Sequence, residues 1–393
     1  MHPAEEIFCE KSSKLRGKTV VIGITGSIAA TECFSTVREL IRHGAKVIVA
    51  MSEAATKMVA PQAMEFASGN PVITELTGKA EHVSLFGEGS EADALVIYPA
   101  TANTISKIAN GIDDGTVTSM ATVAIGHGLP VAVAPAMHDA MYRNPGVAKN
   151  VLTLREWGVS MIGPNTDGPR AKVASREEVI AWVTRMLSKD DLVGKRILVI
   201  GGRSEEPIDS MRIITNRSTG LMSVRIAERA FERGAEVELW MGGCSVPLPD
   251  YIDTKRFAKV SELVSMVKGI DHDAVIVPAA LADFSPGEEY AGKMPSDKGF
   301  SMKLVPVPKV LPLIREKCDT VIGFKAESGL TKKALAARAR ERLEAYDLTA
   351  VVANDIDSAG KTSASVILVS AKGEKDITGT KESIANSILD ICS

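Results

Sequence analysis

Short β-branched runs alternate with helix-period segments along the whole chain, and the alternation starts twice. Gly17-Lys18-Thr19-Val20-Val21-Ile22-Gly23 near the beginning is echoed by Gly194-Lys195-Arg196-Ile197-Leu198-Val199-Ile200-Gly201-Gly202 halfway along. Parallel strands need long crossovers, usually helical, and those helices cover both faces of the sheet, so the pattern specifies an α/β fold with parallel sheets. The first half carries strand runs at 19–23, 46–51, 94–98 and 131–134, with a helical pattern at 27–43. The second carries strand runs at 236–240, 274–278, 321–324 and 350–353, with helical patterns at 221–233 and 331–346. One echo, rather than a repeat of about 20–50 residues, argues for two tandem domains and against a solenoid. A length of 393 residues also exceeds the usual single core. The seam falls at 188–193, giving domains 1–188 and 189–393. Between 283 and 308 the pattern dissolves into Gly, Pro, Lys and Ser, too long for an ordinary connection, and reads as a mobile lid.

Charge and cysteine usage narrow the function classes. With 46 basic against 49 acidic residues the chain has no broad bias toward nucleic acid or an anionic membrane, which leaves small-molecule chemistry. Cys9, Cys33, Cys244, Cys318 and Cys392 are scattered and never form a Cys-x-x-Cys pair. That usage fits a reducing compartment, expected to be the cytoplasm, and neither a disulfide framework nor a zinc site. Residues 1–18 lack a signal-peptide core, and no segment approaches the roughly 18 apolar residues of a membrane span.

The chemistry concentrates at the ends of strand runs. Gly23-Ile24-Thr25-Gly26-Ser27-Ile28-Ala29-Ala30 leaves the first strand and enters the first helix. Free N–H groups, the helix dipole and the Ser27 hydroxyl suit a phosphate there. An ordinary capped turn explains the same residues, since the spacing is neither Gly-x-Gly-x-x-Gly nor a P-loop. Two more loops, Pro99-Ala100-Thr101-Ala102-Asn103-Thr104 and Pro135-Ala136-Met137-His138-Asp139-Ala140-Met141-Tyr142, follow strands at the same carboxyl edge, where open α/β sheets bind ligands.

In this order the loops resemble the flavin-dependent cysteine decarboxylase family, which carries a Gly-x-x-Gly-Ser-Ile-Ala-Ala turn, a catalytic His, a Pro-Ala-Ser-Ala-Asn-Thr-like loop and a Pro-Ala-Met loop. The resemblance spans about residues 17–185. It implies a flavodoxin-like or Rossmann-like flavoprotein domain with FMN held by Gly26, Ser27, Thr101 and Asn103, with Ser119 added. His82, in an extended apolar stretch before the 94–98 strand, matches the catalytic base. A structural histidine is the plainer reading of that residue alone. The implied reaction oxidises a cysteine thiol to a thioaldehyde, so that the neighbouring carboxylate leaves as carbon dioxide, and then returns the electrons. Substrate contacts fall on Met137, His138 and Lys172. Two departures stand out: His138 replaces the usual carboxylate-gripping Asn, and the flap at 168–174 lacks the family's cysteine. An imidazole can donate the same hydrogen bond, while Lys172 or a water is left to supply the final proton.

In the second half, Arg212-Ile213-Ile214-Thr215-Asn216-Arg217-Ser218-Thr219-Gly220 precedes a helix and reads either as a phosphate cradle or as a capped surface turn. Ala279-Ala280-Leu281-Ala282-Asp283-Phe284, Gly323-Phe324-Lys325-Ala326-Glu327 and Ala353-Asn354-Asp355 follow. Together these resemble phosphopantothenate-cysteine ligase, implying a Rossmann-like (ribokinase-like) domain that joins cysteine to 4'-phosphopantothenate through an acyl nucleotide. By that resemblance Asn216 contacts the intermediate, Lys293 reaches the triphosphate with Lys298 as a second lid lysine, and Asp283 and Phe324 hold the nucleotide. Backbone groups around Ala279 to Ala282, Ala279 and Ala280 first, are expected to read the base edge. Fusion of the two halves tilts the nucleotide toward CTP over ATP, with Mg2+ on its phosphates; no metal-ligand set is assigned. Related decarboxylases are trimers and related ligases dimers, so a homo-oligomer is expected, a dodecamer by combination of the two symmetries.

Two rivals differ in class. Glu53, soon after the second strand, suits a nicotinamide oxidoreductase, whose glycine spacing is missing. A regulatory flavoprotein would leave the ligase motifs unexplained.

Overall fold

Uninterrupted apolar runs become strands buried on both faces. A computed structural model describes residues 2–164, 173–295, 299–355 and 363–393. It divides into two units, Met1–Ser188 and Lys189–Ser393.

In the first unit the strands are β1 (Thr19–Ile24), β2 (Lys46–Met51), β3 (Ala94–Ala100), β4 (Val131–Pro135) and the two-residue β5 (Ser160–Met161). They form one parallel sheet in the order β2-β1-β3-β4-β5. That is the flavodoxin-like doubly wound order, whose switch point lies between β1 and β3. Strand alternation divides the core cleanly. Val20, Ile22, Val47, Val49, Val96 and Tyr98 face one side, while Val21, Ile48, Leu95, Ile97, Val131 and Val133 face the other. The helices Cys33–Arg42 and Arg176–Leu187 pack on the first face, and Ala102–Ala109 and Thr116–Gly126 on the second. The helical pattern expected from residue 27 starts as a 3-10 turn, Ile28–Glu32, and becomes an α-helix only at Cys33, where the buried stripe of Cys33, Val37, Leu40 and Ile41 begins.

The second unit introduces β6 (Arg196–Gly201), β7 (Glu205–Pro207), β8 (Ile213–Thr215), β9 (Glu236–Met241), β10 (Asp253–Arg256), β11 (Ala274–Val277), β12 (Phe284–Pro286), β13 (Leu304–Pro306), β14 (Thr320–Glu327), β15 (Ala350–Asp355), β16 (Ser363–Ser370) and β17 (Gly373–Thr380). Its main sheet runs β10-β9-β6-β11-β14-β15-β16-β17. The six strands from β10 to β15 are parallel and, counted within the unit, follow the Rossmann order 3-2-1-4-5-6. β16 and β17 extend the sheet antiparallel. The stretch read as a wholly irregular lid is different at its ends. β12 and β13 pair antiparallel there, because Phe284-Ser285-Pro286 and Leu304-Val305-Pro306 satisfy each other's backbone groups.

Candidate active sites

At the first switch point one hydroxyl ties two strand ends together. Thr25 Oγ1 donates to the Pro99 carbonyl at 2.7 Å and accepts from the Thr101 N–H at 3.0 Å. This holds the turn bearing Gly26 and Ser27 beside the loop bearing Thr101 and Asn103. A Cβ on Gly26 would lie 2.5 Å from the Ala54 Cβ, so only glycine admits this approach. Ser27 Oγ accepts from Ala29 N at 3.4 Å. Thr101 caps the helix Ala102–Ala109 through Thr104 N. Asn103 is exposed in the first turn of that helix, with no partner for its amide among the described residues. Ser119 stands apart: it is buried, and its hydroxyl donates to the Asp113 carbonyl at 2.9 Å, leaving it only acceptor capacity.

His82 is not in an extended stretch. It sits in the first turn of the helix Glu81–Phe86, which starts where the Glu81 carboxylate accepts from Thr77 N at 2.8 Å and is anchored by buried Leu85 and Phe86. Hydrogen bonds from the Thr77 hydroxyl and backbone hold the Glu81 carboxyl down to about 2. The His82 Nδ1 is buried with no partner among the described residues. An orphaned buried polar atom costs about 1–3 kcal/mol, which a bound ligand would relieve. With the free Asn103 amide and the close Gly26 turn, this donor and acceptor set fits a phosphorylated flavin.

The loop after β4 is joined to the same edge by Ala136 N donating to the Ala100 carbonyl at 2.9 Å. Met137 is half-buried and packs against the core. His138 is exposed and caps the short helix Asp139–Tyr142, its Nδ1 accepting from Ala140 N at 3.2 Å. An accepting Nδ1 places the neutral ring's proton on Nε2, so His138 presents an N–H donor. Lys172 lies outside the described residues.

The second unit encloses a cavity of about 640 Å³ at the carboxyl edge of its sheet, beside the switch point between β6 and β11. It gathers Asn216, Ala279, Ala280, Asp283 and Phe324 from widely separated positions. Ser204 organises the floor: it is fully buried and its hydroxyl accepts from Ala282 N at 2.9 Å. Ala279 N donates to Ile200 O and Ala280 N to Gly202 O. Asn216 Nδ2 donates to the Ala280 carbonyl at 3.0 Å, bracing this loop while lining the cavity. The expected base-edge role of Ala279, Ala280 and Ala282 is thereby narrowed, since their three N–H groups are already engaged.

Lys293 is exposed and is not among the residues lining the cavity. Its segment is fastened instead to the 208–212 loop, through Ser210 N to the Gly292 carbonyl and Met294 N to the Asp209 carboxylate, both at 3.1 Å. Lys298 lies outside the described residues. Cations that sequence reasoning passed over do line the cavity: Lys309, paired with Asp283; Lys325, 2.7 Å from Glu327; Arg342, donating to the Phe324 carbonyl at 2.7 Å; and Lys381. The Lys309 hydrogen bond holds the Asp283 carboxyl below its ordinary range. Lys325 stands in the quoted 323–327 motif without an assigned role, while Lys309, Arg342 and Lys381 belong to no motif.

Residues 9–188 match the family described as Flavoprotein, and residues 192–393 the family described as DNA/pantothenate metabolism flavoprotein C-terminal domain. The chain is 44% identical to the coenzyme A biosynthesis bifunctional protein CoaBC of Thermococcus kodakarensis, covering 99% of this chain and 98% of that one. It is 35% identical to the protein of the same description from Methanocaldococcus jannaschii, over 99% and 97%. Among solved structures, the C-terminal domain of a coenzyme A biosynthesis bifunctional protein CoaBC is 29% identical with a TM-score of 0.43, covering 52% of this chain and 95% of that chain.

Proposed function

This chain belongs to the family of bifunctional coenzyme A biosynthesis enzymes, decarboxylase and ligase in one polypeptide, and from that premise we propose that the first unit decarboxylates phosphopantothenoylcysteine and the second makes it. The observation that carries the assignment is the lining of the second cavity. Arg217, Lys309, Lys325, Arg342 and Lys381 contribute positive charge, and among the described lining residues Asp283 alone is acidic. Such a lining suits two phosphorylated substrates held together.

In the second unit the phosphopantothenate carboxylate attacks the α-phosphorus of a nucleoside triphosphate, CTP in this reading, and pyrophosphate leaves. The cysteine amine then attacks the acyl carbon and the nucleoside monophosphate departs. Asn216 keeps one amide hydrogen and its carbonyl oxygen for the acyl nucleotide. Lys293 approaches the triphosphate from the lid, Lys298 being the second candidate, and Phe324 and Asp283 hold the nucleoside. Mg2+, when bound, would be held mostly by the phosphates and water and would offset their charge.

In the first unit, the Gly26-Ser27 turn takes the FMN phosphate, and Thr101 and Asn103 bind beside it. When bound, FMN would supply the two-electron oxidation of the cysteinyl thiol and the return of those electrons after carbon dioxide leaves. His82 moves the thiol proton, with Nδ1 relieved of its orphaned state by a ligand contact. His138 directs its Nε2–H at the substrate carboxylate, with Met137 against the same substrate. Lys172 or a water supplies the proton for the final reduction in the absence of a flap cysteine. The five free cysteines support a cytoplasmic site of action, and a dodecamer follows if trimeric and dimeric contacts combine.

The test is mass-resolved product formation from phosphopantothenate, cysteine, Mg2+ and either CTP or ATP. The expected outcome is phosphopantetheine from wild type, accumulated cysteine adduct from His82→Asn, and little adduct from Asn216→Asp. Phosphopantetheine formed by His82→Asn as fast as by wild type would remove His82 from the chemistry.

A further inference from the structure

One cation lining the second cavity has no anion beside it among the described residues. Lys381 opens the C-terminal helix Lys381–Leu389 and is 7% exposed. No hydrogen bond or ion pair reaches its ammonium among the described residues. Its surroundings are unfavourable twice over, since burial without a partner penalises charge and a helix N-terminus repels a cation. Burial alone lowers its pKa, with no neighbouring carboxylate acting in the opposite sense. A side chain held at such a cost, on the wall of a cavity, calls for an anion from outside the protein.

The packing of the helix shows which anion. Arg229 reaches Asn386 at 2.9 Å and Glu382 at 3.5 Å, while Arg233 reaches the Asn386 carbonyl at 3.0 Å and Asp390 at 2.9 Å. The near-constant sequence offset means that Leu221–Glu232 and Lys381–Leu389 run side by side in the same direction. Their positive ends therefore point the same way, and residues from both ends line the cavity. At the start of the first helix, Gly220 takes a φ of 80° and the Ser218 and Thr219 hydroxyls cap Gly220 N and Leu221 N. The N–H groups of Met222 and Ser223 have no partner among the described residues. Two parallel helix N-termini, free amides, hydroxyls and a buried ammonium suit a multi-oxygen anion, a phosphoryl group, better than a planar carboxylate.

We propose that Lys381 is a substrate-binding residue of the ligase, its ammonium gripping a phosphoryl group between the starts of the helices Leu221–Glu232 and Lys381–Leu389. The inference rests on the ligase reading of the second unit. That phosphoryl group comes either from the nucleoside triphosphate or from the 4'-phosphate of phosphopantothenate, and the two sources separate experimentally.

The test uses the full chain with Lys381→Met, which keeps the apolar stem, and Lys381→Arg, which keeps the charge. Ligation is followed with CTP, phosphopantothenate and cysteine varied in turn. In Lys381→Met the KM for one phosphorylated substrate should rise at least tenfold, the KM for cysteine should not move, and Lys381→Arg should recover part of the loss. With pantothenate replacing phosphopantothenate, the difference between wild type and Lys381→Met disappears if the 4'-phosphate is the ligand and persists if the triphosphate is. Without substrate, Lys381→Met should melt at or above the wild-type temperature, because it removes a buried unpaired charge. A purely structural lysine would lower it. The stabilisation given by phosphopantothenate or CTP alone should shrink. Unchanged KM values for both phosphorylated substrates, or a change for cysteine alone, overturns the inference while leaving the ligase reading intact. Absence of both the cysteine adduct and phosphopantetheine from wild type overturns the ligase reading itself.

Discussion

Asp209 is sealed from water, yet its carboxylate accepts from Met211 N, Arg212 N, Met294 N and the Arg212 guanidinium. Burial alone would raise its pKa; the backbone N–H groups and Arg212 outweigh that and hold it at about 2. A folded pKa below the unfolded value stabilises the fold above about pH 4, and that contribution is lost as pH falls toward 2. The gap in urea midpoint between wild type and Asp209→Asn should therefore be full at pH 5 and narrow through this window. Because Met294 and Gly292 fasten Lys293 to the same loop, Asp209→Asn should also raise the nucleotide KM, by about tenfold if one charge-assisted hydrogen bond is lost, without slowing decarboxylation. His138 offers a cleaner residue test. His138→Asn keeps both the helix cap and a donor, whereas His138→Ala loses both. The alanine variant should weaken substrate binding in the decarboxylase assay by roughly fivefold, the worth of about 1 kcal/mol, and the asparagine variant should stay near wild type.

Elements built on apolar runs were easy to anticipate, since β1, β3, β4, β6 and β11 carry buried residues on both faces and read the same in any context. β16 and β17 were not. Ser363-Ala364-Ser365 and Gly373-Glu374-Lys375-Asp376 are polar, and the pairing of β16 with β17, anchored where Val366–Ser370 lies on β15, supplies what their composition lacks. His82 was misread for a related reason: an apolar run of helix length is ambiguous until Leu85 and Phe86 find the helix Thr116–Gly126 to pack on. One strand-helix contact makes a prediction of its own. A Cβ on Gly201 would lie 2.2 Å from the Ser223 Cβ, so Gly201→Ala should destabilise the second unit by about 1–3 kcal/mol and depress ligation. Calorimetry should show part of that loss restored in Gly201→Ala/Ser223→Gly.

For the whole molecule, the division into Met1–Ser188 and Lys189–Ser393 makes the two reactions separable by ligand removal. Chelating Mg2+ should stop adduct formation while supplied phosphopantothenoylcysteine is still decarboxylated; stripping the flavin should do the reverse. Mass measurement of the native assembly should give twelve copies, with 1–188 alone trimeric and 189–393 alone dimeric. A monomer in all three would remove the proposed symmetry. Among the described residues no helix is long and apolar enough to cross a membrane.

The sequence by itself determined the α/β class, the second start at Gly194 and the loops that end at each sheet's carboxyl edge, because alternation of strand and helix periods is local and the chirality of crossovers leaves few arrangements. The tertiary structure alone decided which charges meet. Lys309, Lys325, Arg342 and Lys381 are far apart along the chain and belong to no common motif, and they share a cavity only because β11, β14 and the C-terminal helix are brought to one edge of the sheet. Burial, which leaves Lys381 without a partner and gives Asp209 four donors, is a property of packing that no spacing of residues encodes.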